Sequence, residues 1–379
     1  MNKKTEPNTT LTMDKSLHLP FYAKASLIII GLVALFFVLY IAQAIILPII
    51  FSIIIAIVLH PGVSFLVRLR FNRVLAITIV LLLGIVTIMS IGTFLFAQLS
   101  RFGESLPLLV ERFNYFFENT ITWTSNYFDL TPQSIHEWIL NNRDEMMDKG
   151  SQTIGNTIVS VGNGLVVVFL IPVYVFMILV YQPLIIEFLK RLFGEGNRLE
   201  VSVIINQIKI LIQSYLTGLM IEVVIIATLY TIGLSILGIE YALVLAIIGA
   251  LLNVIPYLGA IIAAIMPMMI ALVTKSSLWG VLLVLAMYVF IQFIDNNYLV
   301  PKIVASKVKI NALVSIVVVI GFGALWGIPG MFISIPITAI AKLIFDHINP
   351  LKPWGFLLGD TMPGDNGIGH RLIKKNLIS

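Results

Sequence analysis

The sequence contains no cysteine. Disulfides, thiol catalysis and cysteine metal sites are thereby excluded. Charge is almost as scarce. Asp, Glu, Lys and Arg make up 11% of the 379 residues, where a soluble domain has about 25%. So few charges cannot cover a water-facing surface, so a water-soluble enzyme is excluded. Five histidines, His18, His60, His136, His347 and His370, form no HxxxH or HExxH spacing. No metal site is expected from them. The chain also lacks a GxxxxGK[ST] phosphate loop, which excludes an ATP-driven pump built from this chain alone. Neither a nucleophile–base pair nor a cofactor motif stands out, so the expectation is a non-enzyme without cofactors.

What is abundant is apolar sequence, 59% of the chain. It lies in charge-free runs at 25–67, 74–100, 150–186, 241–274, 276–294 and 310–341. A membrane-spanning helix needs roughly 20 apolar residues. The alternation of a transmembrane β-barrel is absent. The fold class is therefore all-α, a polytopic helical protein whose surroundings are the lipid bilayer, with about eight spans. The first apolar run is too long for a cleavable signal. The net charge of +5 reports topology and not nucleic-acid binding.

Lysine and arginine orient the chain. With a cytoplasmic tail at 1–24, three spans fill 25–100 and place Arg68, Arg70 and Arg73 inside. Segment 101–149 then lies outside, with four basic and eight acidic residues. It reads as helices, either lying at the interface or forming a small exterior domain. A fourth span at 150–181 leads to a cytoplasmic amphipathic linker at 182–209, broken at Gly194-Glu195-Gly196-Asn197. A bundle at 210–346 and a cytoplasmic tail at 347–379 complete the chain. The positive-inside rule favours reading 241–274 and 310–341 as hairpins broken near Asn253–Pro256 and at Gly327–Gly330. Nineteen basic residues then lie inside and five outside.

The two breaks resemble each other. Gly249 to Pro256 parallels Gly323 to Pro329, and Pro267 and Pro336 follow downstream. Gly259 and Gly330 flank the same breaks. Paired Gly/Pro-interrupted helices point to a transporter's binding site. The alternative is that they merely kink the spans.

Polar groups inside spans need a reason, because a central carboxylate costs roughly 2.5–3.5 kcal/mol on insertion. Glu222 shares a helix face with Tyr215, Gly218 and Gly233, while Gln213, Thr217, Thr231 and Ser235 lie nearly opposite. Glu222 is either a proton or cation site, or an acid hydrogen-bonding across helices where Gly218 permits close approach. Tyr288, Gln292, Asp295 and Asn296 form a second stripe. Asp295 is either part of a cation or proton relay, or an aspartate that snorkels or pairs with Lys302. Asn253 sits at the first break, where its amide can bond freed backbone or substrate. His60 reads as a helix-end residue before Pro61.

These motifs resemble the autoinducer-2 exporter family of bacterial membrane proteins. The matching pieces are Tyr215-Leu216-Thr217-Gly218, Gly238 to Leu243, Gly249 to Gly259, Asp295 to Lys302, and Gly323 to Gly330 running into Pro336. They cover about residues 200–345. Leu219 and Glu222 depart from the family pattern, which has a glutamine and an apolar residue there. The resemblance implies a multi-span secondary transporter of the bacterial cytoplasmic membrane and a homo-oligomer. It implies export of a small polar solute or signal, with sodium(lithium)/proton antiport as the alternative. A reading of another class is a non-transporting scaffold that uses the exterior helices.

Overall fold

The computed structural model describes residues 20–97, 100, 169–255, 258–275, 278–305 and 308–361. The segment read from the sequence as exterior, 101–149, the first part of the run read as the fourth span, Pro256 and most of both tails lie outside the described residues. The regular elements among those residues are all helices, without a strand. Seven helices among them are long and apolar enough to cross a membrane. The chain is an all-α polytopic membrane protein.

Residues 1–43 form one compact unit and 44–379 another. The first holds α1 (Phe21–Ile41), which has no buried residue. Uniform apolarity with nothing buried suits a helix whose solvent is lipid.

The second unit starts with α2 (Gln43–Arg68), α3 (Arg73–Ala97) and α4 (Phe169–Leu192). Their shared core is Ala56, Val63, Ala76, Ile77, Val175 and Leu179. Pro61 lies inside α2. It has no N–H to donate to the carbonyl four residues back, that of Ile57. Gln213 Nε2 supplies the missing bond at 2.7 Å, from the next long helix. That helix, α5 (Arg198–Ile236), follows a turn in which Gly194 adopts φ +81°.

Around α5 the chain builds two helical hairpins. In the first, α6 (Ala242–Asn253) leads into α7 (Leu258–Lys275). A Cβ on Gly259 would collide with the Leu252 carbonyl, and one on Gly249 would lie 3.4 Å from Ala263 Cβ. Only an antiparallel return brings both pairs together. A side chain at 259 would push the two backbones apart, so glycine is required by close approach. Ile226, Tyr230 and Leu234 of α5 pack with Leu245, Ala246 and Ala263 of this hairpin in one core.

The return leads to α8 (Leu278–Ile294), which continues as a π-helical segment, Asp295–Ala305. Pro301 lies inside that segment. Its backbone passes so close to α5 that a Cβ on Gly218 would sit 2.7 Å from the Ile303 carbonyl oxygen.

The second hairpin is α9 (Ala312–His347). Gly327 interrupts it with φ +64° and ψ −148°, a region open essentially to glycine alone. In a straight helix, residues eight apart are separated by about 12 Å. Here a Cβ on Gly330 would strike the Phe322 carbonyl, and one on Gly323 would meet Met331. The chain therefore folds back on itself at Gly327. Pro329 opens the returning helix, where its missing N–H is not needed. A short helix, α10 (Lys352–Leu358), ends the described chain. Asn311 holds it in place, donating from Nδ2 to the Leu357 and Gly359 carbonyls at 2.8 and 2.9 Å.

Candidate functional site

The tip of the first hairpin, α5, the α8–π junction and α9 enclose a cavity of about 170 Å³. Helical spacing on α5 sends Tyr215, Leu219 and Glu222 into it, at i, i+4 and i+7. Asn253 enters because α6 ends there, so its amide projects from a helix terminus. Gln292 is on the last turn of α8, and Asp295 and Asn296 open the π-helical segment. Ser315 and Ile335 arrive from the two arms of α9.

Asp295 is 1% exposed and Glu222 6%. Burying a carboxylate is costly unless it is paired or hydrogen-bonded. For Asp295 the compensation is specific. Its Oδ2 accepts from Asn253 Nδ2 at 3.0 Å and from Gln292 Nε2 at 3.4 Å. Gln292 Nε2 also donates to Asn296 Oδ1 at 3.2 Å. This leaves Asp295 Oδ1 and Gln292 Oε1 buried with no partner among the described residues. Such orphaned acceptors need an explanation in a native site. A free carboxylate oxygen and a free amide oxygen at one cavity suit a cation or a donor-bearing solute. No group of three or more His, Asp or Glu side chains among the described residues could hold a metal ion.

Glu222 and Asp295 line the same cavity. Tyr215 is buried beside them.

The other predicted residues lie around this cavity and not in it. Gly218 packs against the π segment, and Gly249 lies over a pair of tyrosines. Gly259, Gly327, Pro329 and Gly330 shape the hairpins, and Pro336 is buried in the returning arm of α9. Pro256 is outside the described residues.

Two features were not visible as motifs. Ser315 is one serine among apolar residues, and only the fold of α9 brings it to the cavity. Tyr230 stacks on Tyr288, with centroids 4.4 Å apart and planes at 25°. Both hydroxyls are buried without a partner among the described residues. A tyrosine in the middle of an apolar span was the only trace of Tyr230 in the sequence.

Comparison with known proteins agrees with this architecture. The model of the AI-2E family transporter matches residues 29–349. The chain is 27% identical over 316 residues to "Putative transport protein YrrI" of Bacillus subtilis, covering 80% of this chain and 87% of that one. It is 33% identical over 127 residues to "AI-2 transport protein TqsA" of Escherichia coli K12, covering 34% of this chain and 37% of that one. A match across nearly all the spans, together with the paired hairpins and their polar cavity, makes this chain a member of the AI-2E family of membrane transporters.

Proposed function

We propose that the protein is a secondary transporter that moves a small polar solute or signal out of the cell, driven by a proton or sodium gradient. One observation carries this reading: Glu222 and Asp295, both buried, line one cavity at the tip of a broken hairpin. A carboxylate at such a place binds or releases a cation as its surroundings change. Asn253 and Gln292 hold Asp295, and Asn296 adds a further polar group for the cargo. The similarity to an AI-2 transport protein makes autoinducer-2 the first solute to try. The lysine and arginine distribution supports cytoplasmic termini in a bacterial inner membrane. Assembly as a homo-oligomer belongs to the same reading.

Sodium(lithium)/proton antiport is the second reading. Asp295 Oδ1 and Gln292 Oε1, without partners among the described residues, favour it, because oxygen acceptors can replace part of a cation's water shell.

Proteoliposomes of the purified chain separate the two. Saturable autoinducer-2 flux that grows with an imposed gradient supports the exporter. Sodium-dependent proton movement without solute flux supports the antiporter. Neither, from reconstituted protein, overturns both.

A further inference from the structure

A second cavity, of about 470 Å³, lies between α2, α4 and α5, apart from the one just described. Its walls have two kinds of chemistry. Lys190 and Lys209 supply positive charge, with His60, Gln182, Ser202 and Asn206 as polar neighbours. Among the described residues the rest of the lining is aliphatic, and none of it is acidic. Among the described residues neither lysine forms an ion pair. Glu187, on the same helix as Lys190, is engaged by Arg191 at 3.0 Å and Arg198 at 2.6 Å. Arg73 adds further positive charge, donating to Gln182 Oε1 at 3.3 Å and to the Leu179 carbonyl at 2.8 Å.

The cavity is also open along the side of the helices. Ile53 and Ile185 both line it, and they are 43% and 42% exposed. It lies between the middle of α2, the last turns of α4 and the first turns of α5. Half-buried lysines over an aliphatic floor match an amphipathic anion, with the charge at the lysines and the chain along the isoleucines. Basic pockets between membrane helices hold anionic headgroups in this way.

The geometry points to a binding site for one anionic phospholipid: Lys190 and Lys209 hold its phosphate, and its acyl chain leaves past Ile53 and Ile185. A zwitterionic lipid fits less well. Its quaternary ammonium would be brought among the basic groups.

The test uses the full chain, purified in detergent and stripped of lipid. It is titrated with phosphatidylglycerol, phosphatidylcholine and glycerol phosphate, and adducts are counted by native mass spectrometry. Phosphatidylglycerol should be retained, with phosphatidylcholine and glycerol phosphate far weaker. Lys190→Gln with Lys209→Gln should weaken phosphatidylglycerol retention about tenfold or more. Lys190→Arg with Lys209→Arg should restore it. Ser202→Trp, which fills the cavity and keeps the charge, should abolish it at an unchanged melting temperature. Should the glutamine pair fail to fold, the arginine pair and Ser202→Trp decide alone. Equal retention of both lipids, or phosphatidylglycerol retention unmoved by Ser202→Trp, overturns the site. Glycerol phosphate bound as tightly as the lipid overturns the lipid as its occupant.

Discussion

Asn253 donates from Nδ2 to Asp295 Oδ2 at 3.0 Å, joining the tip of the first hairpin to the start of the π-helical segment, 42 residues away in sequence. The bond fixes one carboxylate oxygen, and the other is buried without a partner among the described residues. Removing the amide leaves Asp295 with the longer bond from Gln292 alone. A hydrogen bond to a charged group contributes about 1.5–3 kcal/mol. Asn253→Leu should therefore lower gradient-driven flux by about tenfold or more. Asn253→Gln, which keeps an amide, should retain more of it. Initial rates in proteoliposomes check the order of the two variants.

The second hairpin depends on two glycines for different reasons. Gly327→Ala forces a side chain into φ +64° and ψ −148°, at about 1–3 kcal/mol. Gly330→Ala drives a Cβ into the Phe322 carbonyl, and overpacking costs a similar amount. Both should lower the melting temperature in detergent. Gly321→Ala, on the same helix with open space around it, should not.

Gln213 and Pro61 should be thermodynamically coupled through the Ile57 carbonyl. Gln213→Leu leaves the Ile57 carbonyl without its partner and should cost about 1–3 kcal/mol. Pro61→Ala restores an N–H that can bond Ile57 within α2. In that background Gln213→Leu should cost much less. A double-mutant cycle on unfolding in detergent measures the difference, and additive losses would refute the account.

Asn311 should be needed to hold α10. Its side chain donates to Leu357 and Gly359 and accepts from the Val314 N–H at 2.8 Å. Asn311→Ala should add protease cut sites at 352–358 and leave the cutting of the other described helices unchanged. Limited proteolysis followed by mass spectrometry shows the cut sites.

The class of the fold was legible because scarcity of charge and long apolar runs have one physical solution, helices in lipid. The resemblance was legible because Gly and Pro mark special backbone, and Gly327 does take a conformation that other residues avoid. Periodicity put Tyr215 and Glu222 on one face of α5, a local property. The meeting of Asn253 with Asp295 was not legible, because it depends on how a hairpin tip packs against a helix far along the chain. The π-helical run from Asp295 was hidden as well. Its residues read as the end of an ordinary span, and only its close packing against Gly218 distinguishes it. The cavity at Lys190 and Lys209 escaped for the same reason. Each lysine looks like an ordinary helix-end charge until α2 supplies the third wall.

The most direct test of the central claim measures concentrative transport against downhill flux in the same proteoliposomes. Wild type is compared with Asp295→Asn, Glu222→Gln and the double variant, under an imposed proton or sodium gradient. If the two carboxylates couple the ion to the solute, at least one single variant should lose gradient-driven accumulation and keep downhill flux, and the double variant should keep no accumulation. Accumulation by the double variant equal to that of wild type would contradict the account.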